Sequence, residues 1–165
     1  MTLTYVIVVL VVVVILYASF RTLGGGEPVA AEDYRTVLGR LAEFAATRAE
    51  DLRGALADPS EKTAEAAGGA RKKLGGYLQQ LSRIDVTASD EERAALDAAR
   101  IQLEGAIEDL GWACRMVEAG VYAGNTGIQE AVATLQAHGE SGLAAVRSLV
   151  AGAPDAVAPQ AQRRK

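Results

Sequence analysis

The chain has one cysteine and one histidine in 165 residues, and that scarcity excludes most site chemistry at once. A lone cysteine leaves no intramolecular disulfide and agrees with a reducing compartment. A di-iron bundle site needs Glu-x-x-His pairs on two helices, and the residue three before His138 is Leu135, so no such site can be built. Cys114 and His138 together cannot fill a zinc site either. Proline is confined to Pro28, Pro59, Pro154 and Pro159, all at expected boundaries, and no stretch alternates as a half-buried strand does. A net charge of −4 argues against bulk nucleic-acid binding. No Gly-x-x-x-x-Gly-Lys-Ser/Thr pattern exists to hold a phosphate, so the composition implies no cofactor and no metal.

What the chain does have is an unbroken apolar run from Leu3 to Phe20, with no polar side chain between Val6 and Leu16. As a helix its 18 residues span ~27 Å, close to the ~30 Å hydrocarbon core of a bilayer. Tyr5 at one end and Tyr17 and Phe20 at the other suit the aromatic belts of the two interfaces. A cleaved signal peptide would need a basic segment before the run and a small-x-small site after it, and neither is found. The run therefore reads as a single N-terminal transmembrane helix. Arg21, Arg35 and Arg40 follow it and no Lys or Arg precedes it, so the positive-inside rule places the N-terminus outside and the body in the cytoplasm, on an inner or cytoplasmic membrane. The span carries no ionisable residue, hence no proton relay and no pigment ligand. Its seven valines from Val6 to Val14 make a ridged surface for lipid or for a partner's helices. The expected contact residues are Tyr5, Val8, Val9, Val12, Val13, Leu16, Tyr17 and Phe20.

Three consecutive glycines, Gly24 to Gly26, lie within a hinge over 21–30 that lets the chain leave the membrane at almost any angle. Four amphipathic helices are predicted beyond it, at about 31–56, 59–82, 90–121 and 126–151. The first carries Tyr34, Val37, Leu38, Leu41, Phe44, Ala45, Leu52 and Leu56 on its apolar positions. Asp58-Pro59-Ser60-Glu61 reads as a stop followed by a capping box, with Asp58 as N-cap of the second helix. Gly68, Gly69, Gly75 and Gly76 weaken that helix unless they serve close packing. Ser89 to Glu92 is a second capping box. The third helix then carries Leu96, Ala99, Leu103, Ile107, Leu110, Cys114, Val117 and Val121 at heptad-like intervals. Thr126 is the expected cap of the fourth, whose stripe is Ile128, Val132, Leu135, His138, Gly142, Ala145 or Val146, and Leu149. Short connections between such helices give an antiparallel up-down four-helix bundle in an all-α body, with a flexible basic tail over 153–165.

Charge is uneven: residues 58–84 carry five basic and three acidic groups, and residues 85–123 carry three basic and nine acidic. Arg71, Lys72 and Lys73, together with Arg21 before the body and Arg163, Arg164 and Lys165 at its end, are the expected contacts to anionic headgroups or an acidic partner. Glu104 and Glu108 share a face, which reads as a solvated acidic strip because no cleft or base accompanies them. His138 reads as a core or boundary histidine and Cys114 as buried and inert.

With no chemistry in the span and none in the bundle, no catalytic residue is assigned. The chain is expected to be a non-catalytic single-span accessory or scaffold subunit that docks on a larger membrane protein complex and covers its cytoplasmic face. Energy-transducing complexes, respiratory or photosynthetic, carry small subunits of this layout. The alternatives are a membrane-anchored helical sensor or ligand-binding module, and a self-assembling membrane-surface organiser built on homo-oligomers. The implied partners are the lipid bilayer and other membrane subunits.

Overall fold

The computed structural model describes residues 28–60 and 62–152. The run Leu3–Phe20, Arg21 and the tail with Arg163, Arg164 and Lys165 lie outside the described residues. Among those described, no helix is long and apolar enough to cross a membrane. The order is β1 (Val29–Ala30), α1 (Ala31–Ala57), α2 (Thr63–Leu81), β2 (Val86–Thr87), α3 (Asp90–Glu118) and α4 (Thr126–Val150). The four helices run up-down-up-down. Neighbours in sequence are neighbours in space, α4 closes back on α1, and α1 meets α3 across the diagonal.

The expected stripes form the core. Tyr34, Leu38, Leu41, Ala45 and Leu52 of α1 are buried, as are Leu74 and Leu81 of α2. All of the α3 stripe from Leu96 to Val117 is buried. Val121 is not, because α3 stops at Glu118 and Gly120 turns the chain at φ 73°, a left-handed conformation that glycine adopts without strain. Phe44 also departs from expectation: it lies exposed on the outer α1–α2 seam, its ring 6.1 Å from that of Tyr77. On α4 the buried line is Val132, Gly139, Gly142, Leu143 and Val146. Leu143 and Val146 take the inward positions, so Leu149 and His138 fall to one side of that line.

The helix starts show which local signals hold. Ser89 caps α3, its hydroxyl accepting from the Glu92 amide at 3.4 Å and donating to the Glu92 carboxylate at 3.0 Å. The cap of α4 is Asn125 and not Thr126; its side chain accepts from the Ile128 amide at 3.2 Å. The second helix begins at Thr63, four residues later than expected, and Asp58 closes α1 instead of opening α2. Thr63 organises that turn: its hydroxyl accepts from the Ser60 amide at 2.8 Å and donates to the Ala55 carbonyl at 3.3 Å. A buried hydroxyl that bridges two segments satisfies more backbone than an exposed Asp58 cap would.

The strand pair has no counterpart in the sequence pattern. Val29 pairs with Val86 and Ala30 with Thr87 in parallel, so the last two residues of the expected hinge are fixed to the α2–α3 connection. The parallel direction follows from the bundle: β1 feeds α1 and β2 leads into α3, and those helices run the same way on the diagonal. The Val29 amide also donates to the Asp85 carbonyl at 2.9 Å, and Arg93 donates to the Val86 carbonyl at 3.1 Å. Arg35 pairs with Glu92 at 3.3 Å and ties α1 to α3 at the same end.

Helix approach is closest between α3 and α4. A Cβ built on Gly139 would stand 2.8 Å from Leu110 Cγ and 3.0 Å from the Ala106 carbonyl oxygen, and one on Gly142 would stand 2.9 Å from the Ala106 Cβ. Of the four glycines in α2, only Gly68 is packed, beneath Glu118; a Cβ on Gly69, Gly75 or Gly76 would meet nothing within 4 Å. Close packing therefore accounts for one glycine of α2 and leaves three that only weaken it. Gly139→Ala is expected to lower the unfolding free energy by ~1–3 kcal/mol through overpacking. Gly69→Ala, exposed and unobstructed, is expected to raise it by up to ~1 kcal/mol through helix propensity. Urea unfolding of the full chain in mild detergent, followed by far-ultraviolet circular dichroism, checks both signs.

Candidate docking surface

The α2–α3 side of the bundle gathers most of the residues singled out for chemistry. Arg71 projects from α2 onto Glu118 of α3 with two bonds, Nε to Oε2 at 2.6 Å and Nη2 to Oε1 at 3.2 Å. The missing Cβ of Gly68 leaves room for that carboxylate. Bonding to Arg71 holds the Glu118 carboxyl below its ordinary range and raises the guanidinium. The basic cluster is thus partly neutralised, with Lys72 and Lys73 left exposed and without an ion pair among the described residues. It also lies in the middle of α2. Arg71 is ten positions before Leu81, about 15 Å along the helix from the end where the chain enters the bundle.

Cys114 sits directly behind this pair, buried, and burial pushes its thiol up to about 11. The thiolate is therefore scarce at neutral pH, as its place on the seam implied. Tyr34 likewise has its phenol raised by burial, opposed by the charge of Arg100. The acidic strip does not act as a pair: Glu104 bonds Arg100 at 2.8 Å, whereas Glu108 has no ion pair among the described residues. His138 is neither core nor boundary. Its side chain is 76% exposed, and Nδ1 lies 2.6 Å from the Asp109 carboxylate across the α3–α4 seam. Gly139 takes the inward position beside it. No group of three potential metal ligands occurs among the described residues.

Above the Arg71–Glu118 pair a groove of about 330 Å³ opens between the helices. Its floor is Leu74, Gly75 and Leu78 from α2 and Ile107 and Gly111 from α3. Neither glycine has an atom within 4 Å of where its Cβ would be, so the floor is low and open. Trp112 stands on the rim, 52% exposed, with the Arg115 guanidinium 4.5 Å over its ring. That cation–π contact fixes the indole without covering it. Ile101, 68% exposed, lies on the same outward side of α3 three turns earlier. Sequence periodicity passes over these residues, because it finds buried stripes and Trp112 is off the stripe. Composition offered one signal: Trp112 is the only tryptophan of the chain and stands beside a glycine.

No protein family, curated protein or solved structure matches this chain.

Two outcomes follow from these environments. Glu118, lowered in the folded protein, adds stability above the ordinary carboxylate range near ~4.3, and that share is lost as pH falls through its depressed value. Thermal melting between pH 7 and 3 is expected to show this acid-side loss in the native chain and to show less of it in Glu118→Gln. Cys114 is expected to resist a thiol reagent in the folded chain at pH 8 and to react fully once denaturant is added. Equal rates in both states would contradict its burial.

Proposed function

We propose that this chain is a non-catalytic, single-span subunit that docks on a larger membrane protein complex, with its helical bundle against that complex's cytoplasmic face. The observation that carries the reading is the uncharged run Leu3–Phe20 set close before a closed bundle. Eight residues lie between Phe20 and Val29, so the latched end of the bundle can stand at most about 30 Å from the end of the run. The body is held near the membrane and cannot act far from it. The valine face of the run, centred on Val8, Val9, Val12 and Val13, supplies a ridged surface for a neighbouring helix. The latched end of the bundle carries Glu32, Asp33, Asp90 and Glu91 at the starts of α1 and α3, with Glu92 there already paired to Arg35. Such an end suits a basic protein surface better than an anionic leaflet. An energy-transducing complex, respiratory or photosynthetic, is the expected host on the analogy of its small helical subunits.

Alkaline carbonate extraction of membranes tests the anchor: the chain should stay with the pellet, and its release would end the single-span reading. A photoreactive residue placed at Val9 or Val13 tests the docking. A discrete protein adduct is expected, whereas adducts with lipid alone would reduce the run to a tether.

A further inference from the structure

The outer surface around Trp112 contains both a projection and a matching depression. Trp112 stands out from the rim, and the neighbouring residue Gly111 lines the groove together with Gly75, neither with an atom within 4 Å of where its Cβ would be. The free charges on this surface are also of both signs. Glu104, Asp109 and Glu118 are each engaged by Arg100, His138 and Arg71 respectively. Glu108 and Arg115 have no ion-pair partner among the described residues, and both line the groove. They are seven residues apart, two turns on one edge of α3, about 10 Å along its axis. Their midpoint falls between Gly111 and Trp112.

We infer that this face of α3 is an isologous interface, pairing the chain with a second copy of itself in antiparallel register about a two-fold axis between residues 111 and 112. In an isologous contact residue i meets j and j meets i. Here each Glu108 meets the second copy's Arg115, and each Trp112 seats over the second copy's Gly111. Arg115 keeps its place over its own indole and gains a carboxylate on its open side. An in-register parallel pairing would instead set Glu108 against Glu108 and Trp112 against Trp112, repelling in the first case and leaving the glycine opening empty in the second. The inference rests on the anchored reading above in one respect: two chains held in one membrane have a raised effective concentration, so a contact confined to one helix from each copy suffices. In this register the two-fold lies along the membrane normal and both α3 helices lie parallel to the membrane surface, so both latched ends stay within the reach set above.

The test uses the full chain in mild detergent, with mass measured by analytical ultracentrifugation and the environment of Trp112 read by its fluorescence. The native chain should reach a dimer at high micromolar concentration, with emission moving to the blue and acrylamide quenching falling as the dimer forms. Glu108→Arg or Arg115→Glu alone turns both cross-contacts repulsive, and each should weaken dimerisation about tenfold or more. The charge-exchanged double variant, Glu108→Arg with Arg115→Glu, should recover the native dimer to within about threefold, because only a self-pairing surface carries both changes at once. Circular dichroism establishes that the variants remain folded, and Gly111→Leu gives an independent block by filling the opening. A native chain that stays monomeric, a double variant that stays as weak as the single ones, or a Trp112 already shielded in the monomer would each overturn the inference. Carbonate extraction is read separately, so a failed anchor and a failed interface give different results.

Discussion

Helix α3 meets α4 at backbone distance, and the rest of the bundle depends on that contact. Gly139 and Gly142 bring the α4 chain against Ala106 and Leu110, where a Cβ would collide with both a side chain and a carbonyl oxygen. With α4 drawn in so far, the core needs few large residues. Alanine at positions 42, 45, 49, 67, 70, 99, 106 and 113 fills it together with leucine, and among the described residues Tyr34 is the only aromatic ring fully buried. An alanine-rich core of this kind gains stability from many short contacts in place of a few bulky anchors. It is correspondingly sensitive to a single added methyl group.

Helix α3 is also the element through which the other parts communicate. It touches all three remaining helices, it receives Arg71 from α2 and Arg35 from α1, and its start is tied to the entering chain by the β1–β2 pair. Its buried side is occupied by the heptad stripe and its edges by ion pairs. The outward side keeps what the core did not take: Ile101, Gly105, Glu108, Trp112 and Arg115. The strand pair adds a mechanical consequence. It moves the boundary between linker and body upstream, so the orientation of α3 is coupled to the point where the chain enters.

Much of the architecture was legible in the sequence. Four helices, their order, the α3 seam from Leu96 to Val117 and the Ser89 cap follow from periodicity and local hydrogen-bonding chemistry, which act within a few residues. The errors share one cause. Asp58 and Thr126 satisfy local rules, yet Thr63 and Asn125 make the observed contacts at those starts, Thr63 by reaching back to Ala55. His138 lies within reach of an apolar stripe, and the glycine beside it is what the neighbouring helix needs. The four glycines of α2 look equivalent in sequence, and only Gly68 has anything above it. The groove beside Trp112 was the least legible part, because Trp112 lies off every stripe.

The sequence by itself determined the helical body, the apolar run before it, the scarcity of cysteine and histidine and the charge difference between the second and third helices. Those properties depend on composition and on spacing along one chain. Tertiary structure alone decided which glycines are tight and which are open, which charges are paired, that Val29 and Ala30 are latched to Val86 and Thr87, and that Trp112 stands beside a depression. Each of these is settled by a neighbour dozens of residues away, brought near only when the helices close on one another.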